Sequence, residues 1–153
     1  MKKFRFLCTH HHRWLSDRPE KAINNWSQCY RRSLHLAEDR KYREAISHAG
    51  SAFETSEILL DQRTATTATD ILRFTDSGVL LAELLHSVGY DGFARTIVDS
   101  TMIRIERLLI LGVEKKTALT ACSRLLMVEE KLALGATEEH IQVFTPAPPE
   151  QIH

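Results

Sequence analysis

Two amphipathic helical patterns lie back to back between Trp26 and Phe53, parted only by the polar break Glu38-Asp39-Arg40-Lys41. A break this short makes consecutive helices run antiparallel side by side, so the segment reads as an α-hairpin. On the second half Tyr42, Ala45, Ala49 and Ala52 recur at helical spacing. They leave a small-residue stripe on which another helix can sit closely. Any fold containing this unit must bury that stripe, and this constrains architecture far more than chemistry.

The rest of the chain repeats the theme. Asp17-Arg18-Pro19-Glu20 has the character of a helix start, with a side-chain acceptor, a proline in the first turn and a glutamate three residues after the cap. The helix that follows carries Ile23, Trp26, Tyr30, Ser33/Leu34 and Ala37 on one face. The next runs from about Tyr42 to Asp61 and adds Ile46, Phe53, Leu59 and Leu60 to its alanine stripe; Gly50 within it reads as a close-packing position. Residues 64–70 are rich in capping hydroxyls and mark a loop or a first turn. A third helix presents Ile71, Phe74, Gly78, Leu81, Ala82 and Leu85 before Val88-Gly89 closes it. A fourth, from Tyr90-Asp91 to Gly112, presents Ile97, Val98, Thr101, Ile105 and Leu108. A fifth, roughly 114–134, turns Ala118, Cys122, Leu125, Leu126 and Leu132 inward and ends at Gly135, after which Thr137 caps a short sixth segment with Ile141 and Phe144. Phe4 and Phe6 alternate with basic residues but have no partner strand, so they read as a docking arm. The expected fold is all-α, with five or six helices in antiparallel hairpins.

Size and charge narrow the function classes. At 153 residues the chain is long enough for one domain with a real core. Twenty basic and twenty acidic residues give zero net charge, which removes the field of a general nucleic-acid binder. Charge is uneven at the ends: Lys2, Lys3, Arg5 and Arg13 mark a basic N-terminal arm over residues 1–16, and Glu138, Glu139 and Glu150 stand without a basic residue near the other end. The helical domain is placed at 17–144, followed by an extended proline-rich tail at 145–153. Cys8, Cys29 and Cys122 are scattered and odd in number, which suits a reducing, cytoplasmic setting. No apolar run reaches membrane-spanning length, and Phe4 to Cys8 is too short for a signal sequence.

On these residues a resemblance can be stated. The segment from Trp26 to Glu57 resembles a tetratricopeptide repeat, with Tyr42 as the large aromatic opening the second helix, Ala45 and Ala52 on the small positions, and Ser33 and Leu36 in the close-packed first helix. It departs from that pattern at Arg32 in place of leucine, Ala49 in place of an aromatic, Glu57 in place of proline and in the offset of Trp26. A weaker copy runs from Ser77 to Leu108, where Phe93, Ile97 and Ser100 replace Tyr42, Ile46 and Ala49. The resemblance implies stacked hairpins with a terminal capping helix and a binding groove lined by the first helix of each hairpin. The alternative architecture is a closed helical bundle.

Catalytic and metal patterns are thin. Cys8 and His10, His11 and His12 bring soft and imidazole ligands together, but adjacent histidines on an arm rarely reach one ion, so no metal site is assigned. Arg43 and His48 resemble the short Arg/His motif of helical RNA-cleaving domains of the HEPN type; as a dimer, histidine would act as general base and arginine would stabilise the phosphorane. Leu111 to Ala118 looks a little like the turn of a DNA-binding helix-turn-helix, but Lys115, Lys116 and Arg124 are offset by Glu114, Glu129 and Glu130. Those acidic pairs read as solvated helix faces.

The expected function is therefore a protein-interaction module, an adaptor, regulator or chaperone of a larger assembly, rather than an enzyme, with no cofactor, nucleic acid or membrane partner. The partner-binding candidates are Tyr30, Arg31, Leu34, Ala37 and Glu38, with Arg32 at the rim. A homodimer is the second partner expectation, because helices three and four are apolar around much of their circumference, at Leu80, Leu84, Met102 and Ile103 and over 108–111. The alternative function is the dimeric ribonuclease using Arg43 and His48.

Overall fold

The small-residue stripe is buried as its spacing requires. In the computed structural model, which describes residues 5–62 and 65–142 apart from the side chains of 136–142, Ala45, Ala49 and Ala52 are inaccessible to solvent. Among the described residues the chain forms six helices: α1 (Thr9–Ser16), α2 (Pro19–Glu38), α3 (Tyr42–Gln62), α4 (Ala68–Ser87), α5 (Asp91–Ile110) and α6 (Lys115–Gln142). From α2 onward each helix packs against the next, and α4 also packs against α6. The architecture is an all-α stack of antiparallel helices with one main apolar core, which Phe74, Ile71, Leu81, Leu85, Ile105 and Leu125 fill. Burying each such side chain stabilises the fold by about 1.5–3 kcal/mol.

Three turns share one closing geometry. After α2, Lys41 N–H donates to Leu36 O and Arg40 N–H to Ala37 O; Tyr90 and Gly89 repeat the pair after α4, and Val113 and Gly112 after α5. The geometry needs a left-handed residue just past the helix end. Gly89 (φ 86°) and Gly112 (φ 75°) supply it without strain, and Arg40 (φ 60°) supplies it with a Cβ in the way.

Several sequence expectations are corrected here. Residues 9–16, read as part of an arm, form α1, which is capped when Cys8 Sγ accepts from His11 N–H at 3.4 Å. Leu15 is buried and, with Leu7, joins a second small cluster with Ala22, Ile58 and Leu59. Asp17 does not cap α2. Arg18 occupies the cap position with no capping hydrogen bond from its side chain, whose guanidinium donates instead to Trp14 O at 3.1 Å, while Pro19 sits in the first turn as expected. At α4 the cap is Thr67, whose hydroxyl accepts from Asp70 N–H while the Asp70 carboxylate accepts from Thr67 N–H.

Gly135 does not end the last helix, and no separate segment begins at Thr137. The α6 helix runs through both, and Gly135 makes room for the His86 ring, which a Cβ would overlap. Phe144 and the 145–153 tail lie outside the described residues.

The N-terminal docking of Phe6 follows the same small-residue logic. Its ring covers Gly50, where a Cβ would collide with it, and the Glu54 carboxylate accepts from Phe6 N–H (2.7 Å) and Leu7 N–H (2.6 Å). A depression of about 390 Å³ remains beside this strap, with Arg5, His12 and Arg13 facing Glu54, Glu57 and Asp61. Asp61 is also paired with Arg104 of α5.

Candidate functional site

The α2 helix is rotated from the orientation its apolar spacing suggests. Its buried residues are Ala22, Ser33 and Leu36, whereas Ile23, Trp26, Tyr30 and Ala37 are only half-buried and Leu34 is 39% exposed. The reason is close packing on α3: Ser33 is small enough to sit at the contact and donates its hydroxyl proton to Ala45 O at 2.8 Å. Large aromatics do not fit there. They are turned sideways toward α4.

Trp26 and Tyr30 stack with ring centroids 4.9 Å apart and planes 17° from parallel. The indole Nε1–H donates to Ser77 Oγ on α4 at 2.6 Å, and the Ser77 hydroxyl donates onward to Arg73 O at 2.7 Å. The Arg73 guanidinium lies over the indole, 5.8 Å from its centroid, a cation–π contact that also fixes the ring. Arg73 is itself tied to the buried Asp70 carboxylate at 3.5 Å. Further along, Arg124 of α6 pairs with Asp76 of α4 at 2.7 Å. Burial pushes the Tyr30 hydroxyl pKa up; the charges of Asp76 and Glu83 add to this and Arg124 opposes it. Tyr30 therefore remains a neutral phenol beside a charged pair. The α2, α4 and α6 helices thus contribute to a single aromatic and polar face.

The five candidates on α2 share one side of that helix, since Tyr30, Leu34 and Ala37 step by four and three and Arg31 and Glu38 are seven apart. Tyr30 and Ala37 lie toward the core, with Ala37 packed against it, while Arg31, Leu34 and Glu38 are exposed. The Arg31 guanidinium donates to Ser27 Oγ at 3.1 Å. Beside them a shallow depression of about 530 Å³ is lined by Asn24, Ser27, Gln28, Arg31, Arg32 and His35. The contributions of Arg73, Asp76, Ser77, Glu83 and Arg124 carry no local sequence signal, because they come from helices remote in the chain. Trp26 could have been singled out. A tryptophan whose indole N–H needs a partner is often placed at a partly exposed, polar-edged site rather than in a core.

The other chemical candidates fall apart spatially. His10 and His12 are exposed, while His11 tilts against Trp14 at 6.1 Å. Cys8 is occupied as the α1 cap. Among the described residues no group of three or more His, Cys, Asp or Glu side chains could hold a metal ion. Arg43 is exposed and His48 half-buried on α3. Cys29 and Cys122 are half-buried, and burial raises both thiol pKa values, with Glu106 raising Cys122 further; both are poor thiolate nucleophiles. Among the described residues no helix is long and apolar enough to cross a membrane. No family model, curated protein or solved structure matches this chain.

Proposed function

We propose that this chain is a protein-interaction module built of tetratricopeptide-like hairpins, and that it holds a partner helix or extended peptide across the face shared by α2, α4 and α6. The observation that carries the reading is the half-exposed Trp26–Tyr30 stack, held in place from α4 by Ser77 and Arg73. Tryptophan, tyrosine and arginine are the residues that most often dominate binding energy, and here their rotamers are fixed before a partner arrives. The packing of α4 on α6, with α2 bridged to α4 through Trp26 and Ser77, fits an arrangement in which first helices of successive hairpins line one face. Leu34 then serves as an apolar anchor, and Arg31 and Arg32 offer carboxylate contacts from the rim. The scattered free thiols suit a reducing, cytoplasmic setting.

The test is affinity capture with the full chain, followed by crosslinking from a photoreactive residue at position 34. One dominant protein is expected, crosslinked at that position, lost with Tyr30→Ala and retained with Leu72→Ala, which changes an exposed leucine elsewhere on α4. Equal recovery by both variants would remove the reading.

A further inference from the structure

Exposed apolar surface is concentrated at one end of the stack. Among the described residues, every large apolar side chain more than half exposed belongs to the α5–α6 hairpin. Ile103, Ile110 and Leu111 are exposed on α5 and at its end, and Leu119, Leu126, Met127 and Leu134 on α6. On α5 this is where the sequence placed it, at Ile103, Ile110 and Leu111, whereas the surface expected on α4 is covered and α6 carries the rest. Leu81, Leu84 and Leu85 of α4 are buried, and Leu126, expected inward, is 52% exposed. Apolar surface gathered at one end of a domain in this way marks an interaction surface rather than the scattered single residues of an ordinary monomer.

The pattern on α6 specifies what covers it. Leu119, Leu126 and Ala133 recur every seven residues and form one exposed seam beside the face used for the core residues Ala118, Leu125 and Leu132, with Cys122, which packs against that core, at its inner edge. Lys115 and Lys116 precede the seam, and Glu129 and Glu130 lie between Leu126 and Ala133. Laying two copies of α6 antiparallel, with Leu119 beside Leu126 of the second copy, brings Lys115 beside Glu130 and Lys116 beside Glu129. The two-fold axis repeats both pairs. A parallel pairing would set lysine against lysine and glutamate against glutamate. Charge complementarity selects a second copy of this chain, in one orientation.

We infer that the outer face of α6 is an isologous dimer interface in which two α6 helices pack antiparallel about an axis near Cys122. Arg124 projects from the opposite side of α6, so dimerisation leaves the α2/α4/α6 face free, and the dimer presents two such faces. Antiparallel pairing puts Cys122 next to Ser123 of the second copy, one residue from its own symmetry mate.

Sedimentation of the full chain over a micromolar to sub-millimolar series should give twice the 17.5 kDa monomer mass. Leu126→Glu, at an exposed position, should return it to monomer with its helical circular dichroism unchanged. Lys116→Glu should weaken dimerisation about tenfold, and Lys116→Glu combined with Glu129→Lys should restore it. In a Cys8→Ser/Cys29→Ser chain, a short bismaleimide should join two copies through Cys122. A monomer throughout the series would overturn the inference, as would a dimer indifferent to Leu126→Glu or one whose charge swap brings no recovery.

Discussion

Replacing Gly78 with alanine tests whether the three central helices are packed as tightly as their contacts imply. A Cβ at position 78 would lie 2.7 Å from Thr101 Oγ1, 3.1 Å from Thr101 Cγ2 and 3.4 Å from Phe53 Cε1. Thr101 is fully buried and its hydroxyl donates to Ile97 O at 2.6 Å, so the side chain cannot rotate away without losing that bond. Two effects compete. Glycine to alanine within a helix ordinarily stabilises by about 1 kcal/mol, because alanine restricts the unfolded chain. Against this stand overpacking of about 1–3 kcal/mol and about 1 kcal/mol for disturbing the Thr101 hydrogen bond. The balance is a loss of roughly 1–3 kcal/mol, which at a urea slope of about 2 kcal/mol per M lowers the midpoint by about 0.5–1.5 M. The sign is the discriminating result, since a glycine in open space would give the opposite. In a Thr101→Ala background both clashing atoms are gone, and Gly78→Ala should then stabilise by about 0.5–1 kcal/mol. If Gly78→Ala alone raises the midpoint, α4 and α5 do not approach as described and the packing argument fails.

Other perturbations address separate elements. Arg40→Gly relieves the left-handed backbone after α2 and should raise stability by about 0.5–1 kcal/mol in thermal melts, whereas no gain would mean that the Arg40 side chain compensates the strain. Glu54→Gln leaves one acceptor oxygen where two backbone amides now bond, so hydrogen exchange at Phe6 and Leu7 should speed up about tenfold while α3 stays protected; unchanged protection would show that the Phe6 ring alone holds the strap. The Tyr30 pKa is raised in the folded state, so its contribution is fully present below the ordinary tyrosine value near 10 and is lost as pH rises through the folded value. Stability of the parent should therefore fall more steeply above pH ~10 than that of Tyr30→Phe, and parallel curves would mean that the hydroxyl is solvated.

Much of the framework was legible because helix punctuation is local chemistry. Gly89 and Gly112 announce their turns, since left-handed backbone is nearly free only for glycine. Arg40 takes the same conformation unannounced. Asp17 had the right residue type for a cap and lost the position to Arg18, because α1 ends immediately before it and Asp17 closes that helix. Gly135 had the right type for a terminator, yet it serves as a seat for His86, whose Nδ1 contacts the Asp91 carboxylate at 2.6 Å.

By itself the sequence determined that the chain is helical, where most helices turn and that the alanine stripe of α3 must be covered, because periodicity and capping act over a few residues. Which apolar faces are covered was decided by the tertiary structure. Leu125 and Leu126 are indistinguishable as neighbours in the chain, yet one is sealed in the core and the other left to solvent, because a helix turns 100° between them and only the placement of α4 and α5 says which direction is inward. Trp26 likewise reads as a core residue from its spacing. The small contact at Ser33 rotates it out toward Ser77, 51 residues away, and that rotation turns a core pattern into a half-buried aromatic face.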